Sequence, residues 1–383
     1  MRPARALRAL VCVNPFKGTL SAAEAAASIA RGLRGAGWSV ETLPLADGGP
    51  GTLAAMKAAS GGSLRRVLVP GPLGAPVRAA WLLLSPREAL IEGAQANGLH
   101  LCPQGRRDPM AASSRGLGRL LLQAKRAGAL TAWVGLGGSA TTDGGTGLAR
   151  ALGWRFLDAS GRELPDGGGP LEALARVVAP AKNPLGALRV RVLCDVDNPL
   201  YGPRGAAAVY GPQKGAGPGQ VRRLDRGLRR LAACVAAAGR ARGAAGRPGP
   251  WTPGAGAAGG LGFGLLAFAR AELAGGAARL LELSSFASRA EGADWVVTGE
   301  GRLDSQSLRG KLPWAVAQAA RAAGRPCAAF CGRCSLQARA WRRAGFADVL
   351  AAPGAAPRGA AAALQRAARA WGQRAMDARP KIA

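Results

Sequence analysis

Leu7-Arg8-Ala9-Leu10-Val11-Cys12-Val13-Asn14-Pro15-Phe16-Lys17-Gly18-Thr19-Leu20-Ser21-Ala22-Ala23-Glu24 holds a strand, a loop and a helix start in one run. The apolar stretch Leu7 to Val13 reads as a buried strand, and Asn14-Pro15 ends it. Ser21 and Glu24 stand at the spacing of a capping box, so a helix is expected from Ala22 to Arg34, with Gly35 and Gly37 as its stop. A second strand follows near Trp38 to Pro44. If the two strands are parallel, the Lys17 loop and the Asp47-Gly48-Gly49 loop leave the same sheet edge, where open α/β folds place ligands.

The same grammar returns further on. Asp294 to Thr298 reads as a strand, followed by a polar loop from Gly299 to Ser307, a helix near Trp314 to Ala323 and a strand near Pro326 to Phe330. Between these regions, Ala132-Trp133-Val134 runs into a glycine-rich segment from Gly135 to Gly145, and Arg189 to Leu193 runs into Cys194-Asp195-Val196-Asp197-Asn198-Pro199. The Pro/Gly-rich stretches Val69 to Pro76 and Arg240 to Ala258 are expected to be crossings or linkers.

Composition narrows the classes. A chain of 383 residues with 48% apolar content is long enough for two domains and a substantial core. No apolar run reaches the roughly 18 residues that span a bilayer, and Ala9 to Val13 is too short for a secretory signal, so a cytoplasmic address and no membrane partner are expected. Seven cysteines, an odd number, argue for reduced thiols. Cys331-Gly332-Arg333-Cys334 has redox spacing, but buried strand ends explain it as well. The formal charge of +30 raises nucleic acid as a partner. From Val221 to Leu231, however, leucines recur at helical spacing with arginines on the opposite face, which is a solvated helix. With aromatics at 5%, no specific nucleic-acid binding is expected. His100 is the only histidine and sits between two leucines beside no nucleophile motif.

The charged residues that remain informative are the rare ones. Lysine makes up only 7 of 52 cationic residues, and Lys17, Lys214 and Lys311 each touch glycine. A compact ammonium reaches one phosphate oxygen where the wider guanidinium fork does not fit, so these three are candidate phosphate or carboxylate contacts. Asp47, Asp195, Asp197, Glu300 and Asp304 stand in strand-end loops of a chain with only 22 acids. Phosphoryl transfer needs a carboxylate for the attacking hydroxyl, oxygens for Mg²⁺, and cationic or backbone donors for the transferred group. For Asp197 a loop ion pair is the preferred reading. The Gly135–Gly145 segment lets backbone N–H groups approach an anion, but it has neither Walker nor dinucleotide spacing.

Seven separated motifs, in order and over nearly the whole chain, resemble the bacterial glycerate kinases of the first type. They are Asn14-Pro15-Phe16-Lys17-Gly18-Thr19-Leu20-Ser21, Ala46-Asp47-Gly48-Gly49, Ile91-Glu92, Gly137-Gly138-Ser139-Ala140-Thr141, Cys194-Asp195-Val196 through Gly211-Pro212-Gln213-Lys214-Gly215-Ala216, Gly256 to Gly260, and Thr298-Gly299-Glu300-Gly301 through Gly310-Lys311. The resemblance implies ATP-dependent phosphorylation of D-glycerate in organic acid and glyoxylate metabolism, usually at the 2-hydroxyl, with 3-phosphoglycerate the other product.

It implies a two-domain α/β enzyme with its active site in the cleft: a Rossmann/flavodoxin-like parallel-sheet domain of residues 1–70 with 285–383, and a second α/β domain of residues 71–284. ATP and Mg²⁺ are the implied cofactors, and a monomer or homodimer the implied state. Catalysis falls to Lys17, Asp47, Asp195 and Asp304, with Asp195 and Asp304 also as Mg²⁺ ligands. Substrate and phosphate binding falls to Gly137, Gly138, Ser139, Ala140, Thr141, Asn198, Lys214, Glu300 and Lys311.

Three acids usual in the family are absent here, at Asn14, Pro50 and Arg119. Their absence motivates the alternative of a catalytically impaired relative that binds a small hydroxy acid or a nucleotide.

Overall fold

The computed structural model describes residues 5–16, 18–43, 45, 48–103, 105–240, 249–305, 307–308, 310–354 and 357–377. The chain divides into two compact units, Met1–Asp47 with Ala54–Gly61 and Ala277–Ala383, and Gly48–Leu53 with Gly62–Gly276.

In the first unit the capping box forms as its spacing predicts. Ser21 Oγ accepts the Glu24 N–H at 3.2 Å while Glu24 Oε2 accepts the Ser21 N–H at 2.8 Å. The helix runs Ala22–Arg34 and closes on Gly35. Its small-residue face, with Ala25, Ala26 and Ile29 buried, packs on the helix Pro357–Asp377. The approach is close enough that a Cβ at Gly32 would stand 2.3 Å from the Gln365 carbonyl oxygen.

The sheet beneath is wholly parallel, with Asp348–Ala351, Cys327–Cys334, Trp295–Leu303, Arg8–Val13 and Ser39–Thr42 side by side. Numbered within the unit this is the flavodoxin-like order 2-1-3-4-5, whose switch point falls between Arg8–Val13 and Trp295–Leu303. Alternate residues feed two cores. Leu10, Cys12, Val296 and Cys331 join one, and Ala9, Val11, Val297 and Phe330 the other. The segment from Gly299 to Leu303, expected as loop, continues the strand because Cys331 to Cys334 pair with it.

The second unit has a six-stranded sheet. Glu272–Ala274, Arg189–Leu193, Thr131–Gly135 and Glu88–Glu92 are parallel, and Pro76–Ser85 and Ser63–Pro70 complete it in antiparallel fashion. The Val69 to Pro76 stretch is thus no linker. Gly71 N–H donates to Ala75 O at 2.7 Å, and Pro70 pairs with Pro76 at the strand ends, where a missing ladder donor costs least. The arginine-studded helix extends over Pro218–Arg240 and buries Leu224, Leu228 and Leu231. Of the Arg240 to Ala258 stretch, 241–248 lie outside the described residues.

Trp371 ties one face of the first unit together. It is 3% exposed, lies edge-on to Trp295 and Phe330 with ring centroids 5.0 and 5.8 Å away, and donates Nε1–H to Asp348 Oδ2 at 2.9 Å. Trp371→Ala is expected to cost about 3 to 5 kcal/mol of stability, the usual range for a buried large aromatic. Chemical denaturation measures it, and a loss below about 1 kcal/mol would contradict this packing role.

Candidate active site

In the second unit the four parallel strands present their carboxyl ends together, with Glu92, Gly135 and Leu193 in register. The turn Gly48–Leu53 crosses this edge. A Cβ at Gly135 would come within 2.3 Å of Gly48 O, and one at Gly137 within 2.5 Å of Gly49 Cα, so only glycine lets the two backbones approach. Glu92, 2% exposed, anchors the turn by accepting the Leu53 N–H at 3.0 Å, and it also accepts Gln95 Nε2–H at 3.1 Å. Pro50 caps the glycine-rich loop from the other side, its ring 2.8 Å from where a Gly138 Cβ would lie.

The loop Gly137–Thr141 spends three of its five N–H groups on the protein itself. Gly137 donates to Gly48 O, Ala140 to Asn97 O and Thr141 to Ser139 Oγ, at 3.2, 2.8 and 3.1 Å. Among the described residues, the N–H groups of Gly138 and Ser139 are the two not engaged in this way.

The loop rests on Asp143 and Lys214. Asp143 is fully buried, and its carboxylate accepts from Ser114 N–H at 2.9 Å, Ser114 Oγ–H at 2.8 Å, Gly145 N–H at 3.1 Å and Gly147 N–H at 3.0 Å. Burial raises its pKa, and these hydrogen bonds act in the opposite direction. Lys214, 2% exposed, donates from Nζ to Thr141 O at 2.5 Å. Burial lowers its pKa to about 7, and the nearby charge of Asp143 resists that fall. Against the same carbonyl, Ala258, Gly259 and Gly260 run through φ of +54°, +78° and +85°, and a Cβ at Gly259 would stand 1.9 Å from Thr141 O.

Asp195 follows the strand Arg189–Leu193, half-buried, and its Oδ1 accepts the Gly276 N–H at 2.8 Å. Asn198 braces the same loop. Its Nδ2 donates to Arg204 O at 2.8 Å and its Oδ1 accepts from Tyr210 Oη at 2.6 Å. Asp197 forms the expected loop ion pair, with Arg204 at 3.3 Å.

In the first unit Glu300 lies within the strand Trp295–Leu303, opposite Cys331, whose thiol burial pushes up to about 12 with Cys334 and the Glu300 charge adding to the effect. Asp304 closes a turn. Its N–H donates to Ser307 Oγ at 3.1 Å, its Oδ1 accepts the Ser307 N–H at 3.3 Å, and Arg302 Nε lies 3.4 Å from Oδ2. Lys311 is the N-cap of the helix Leu312–Ala322 and makes no side-chain cap bond. It therefore places an ammonium beside the positive end of a helix. Lys17 and Asp47 lie outside the described residues.

All seven cysteines are free. No group of three or more His, Cys, Asp or Glu able to hold a metal occurs among the described residues. A cation held by one carboxylate and by substrate phosphates needs no such group.

Sequence reasoning did not single out Glu92 or Asp143 as site acids. Asp143 precedes Gly144-Gly145-Thr146 at a helix start, which is a capping signal. Its main partner Ser114 is 29 residues away, and no local pattern announces that contact.

The sequence matches the glycerate kinase family over residues 9–378. It is 43% identical over 356 residues to the "Glycerate kinase" of Bacillus subtilis (strain 168), covering 92% of each chain. It is 40% identical over 330 residues to the "Glycerate 2-kinase" of Escherichia coli (strain K12), covering 85% of each. Among solved structures it is similar to "Crystal structure of putative glycerate kinase 2 from Salmonella typhimurium LT2", with a TM-score of 0.80, 36% identity and coverage of 97% of this chain and 99% of that one.

Lys214 titrates at about 7 in the folded protein against an ordinary value of 10.5. Between these values the unfolded chain binds more protons, so folding stability rises with pH across that window and is flat in this respect below it. Urea unfolding of the wild type and of Lys214→Met at both ends of the window checks this. The wild type should gain on the variant as pH rises, and parallel changes in the two proteins would contradict the assignment.

Proposed function

Because this chain belongs to the glycerate kinase family and is therefore a phosphotransferase, we propose that it transfers the γ-phosphoryl group of ATP to the 2-hydroxyl of D-glycerate, giving 2-phosphoglycerate and ADP. The observation that carries the reading is the glycine-rich loop at the parallel strand ends, braced from beneath by Asp143 and Lys214, with two N–H groups left for a phosphate. Such donors, fixed before the reaction, stabilise charge on a transferring phosphoryl group without reorganising.

The hydroxyl oxygen of glycerate attacks the γ-phosphorus, the bond to the β–γ bridging oxygen breaks, and ADP leaves. The hydroxyl proton passes to a carboxylate, for which Asp304 is assigned. Ser307 and Arg302 orient that carboxylate. Gly138 and Ser139 N–H groups face the phosphates. Lys214 acts on them through Thr141, since its ammonium already holds that carbonyl. Lys311, with the helix end behind it, and Lys17 take the substrate carboxylate or nucleotide phosphates. Asp47 contacts the substrate hydroxyl, and Glu300 and Asn198 line the binding surfaces. A Mg²⁺ ion travelling with ATP would neutralise phosphate charge, and Asp195 in the second unit and Asp304 in the first are each a candidate to hold it.

Glycerate-dependent ADP release tests the reading and separates a kinase from a relative that only binds. Asp304→Asn is expected to lower kcat by orders of magnitude with the fold intact, because general acid–base help of this kind is worth about 10²- to 10⁴-fold. Turnover of that variant near the wild-type level would remove Asp304 from the reaction.

A further inference from the structure

The switch point of the five-stranded sheet holds polar groups that neither the fold nor the proposed chemistry uses. Asn14 stands just beyond the strand Arg8–Val13, 6% exposed, with its N–H on Gly299 O at 2.9 Å and its side-chain Oδ1 buried without a hydrogen-bond partner. Thr298 on the neighbouring strand is fully buried, and its Oγ1 likewise has no partner. The register Cys12↔Thr298 and Val13↔Gly299, carried one step further, sets Asn14 level with Glu300. Side chains alternate along a strand, so Thr298 and Glu300 share the face of Val296, and Asn14 shares that of Leu10 and Cys12. Each buried polar atom left unpaired costs on the order of 1–3 kcal/mol, which a ligand supplying the missing bond would recover.

The chemistry of this wall limits its ligand. An amide oxygen and a carboxylate only accept hydrogen bonds, and a threonine hydroxyl does either. The two unpartnered oxygens of Asn14 and Thr298 therefore call for hydrogen-bond donors, which the adjacent hydroxyls of a diol supply as a pair. We infer that Asn14 and Thr298, at the switch point of the first unit, form a subsite for a vicinal diol. This rests on the reading of the chain as a glycerate kinase, in which two diols are available: the 2,3-hydroxyls of glycerate and the 2′,3′-hydroxyls of the ATP ribose.

The experiment compares the wild type, Asn14→Leu and Thr298→Val, the last nearly isosteric, with paired ligands. D-glycerate is set against D-lactate and 3-hydroxypropanoate, and ATP against 2′-deoxy-ATP and 3′-deoxy-ATP. Calorimetric binding is read beside kcat/KM, and thermal unfolding confirms that each variant is folded. The wild type should favour one member of a pair by about tenfold to a hundredfold, the worth of one unsatisfied polar group. In both variants that preference should collapse toward unity, and the pair in which it collapses identifies which diol is bound. A wild-type preference that persists in both folded variants, or no preference in the wild type for either pair, overturns the inference while leaving glycerate phosphorylation untouched. Conversely, a wild type that makes no phosphoglycerate but shows an Asn14-dependent preference for the ribose diol overturns the kinase reading and keeps the subsite.

Discussion

The candidate phosphate loop depends on the carboxylate of Asp143. Buried away from water, it accepts hydrogen bonds from both ends of Ser114 and from the backbone of Gly145 and Gly147, so the loop, a distant helix start and the helix Thr146–Ala151 meet at one group. A buried carboxylate without such donors would protonate. Its negative charge also favours the ammonium of Lys214, which reaches through the interior to the Thr141 carbonyl. That location explains why a lysine stands there in a chain that otherwise prefers arginine. A slender ammonium stem fits a sealed passage to one oxygen, and a planar fork with five donors would leave several of them unpaired.

Much of this architecture can be read locally. The capping box at Ser21 and Glu24, the strand before Asn14 and the buried strand from Trp295 are short-range patterns, and each forms where its residues say it should. What escapes the sequence is long-range. Lys214 and Thr141 lie 73 residues apart, and the pairing that keeps Gly299 to Leu303 extended comes from Cys331 to Cys334 on another strand. Glycines mislead for the same reason. Gly299 looks like loop, yet a Cβ there would stand 2.2 Å from Phe330 O, so the residue is needed for contact inside a sheet. The prolines at 70 and 76 likewise suggest a linker and instead close a hairpin.

Asn14, Pro50 and Arg119, the three positions at which the motif resemblance implies an acid, differ in physical weight. Arg119 is exposed on the helix Arg115–Arg126, whose buried side is built from Leu117, Leu120, Leu121 and Ala124. A charge there meets water. Pro50 is also exposed, and the buried acid that anchors its turn is Glu92, which is present. Asn14 alone is buried, and it keeps an acceptor oxygen while giving up the charge. The structure thus concentrates the consequence of these departures at the switch point of the first unit.

The most direct test of the account is the identity of the product formed when the purified protein meets ATP, Mg²⁺ and D-glycerate, followed by phosphorus NMR. The account predicts the resonance of 2-phosphoglycerate growing in step with ADP. A folded, nucleotide-binding protein that yields no phosphoglycerate signal would contradict it.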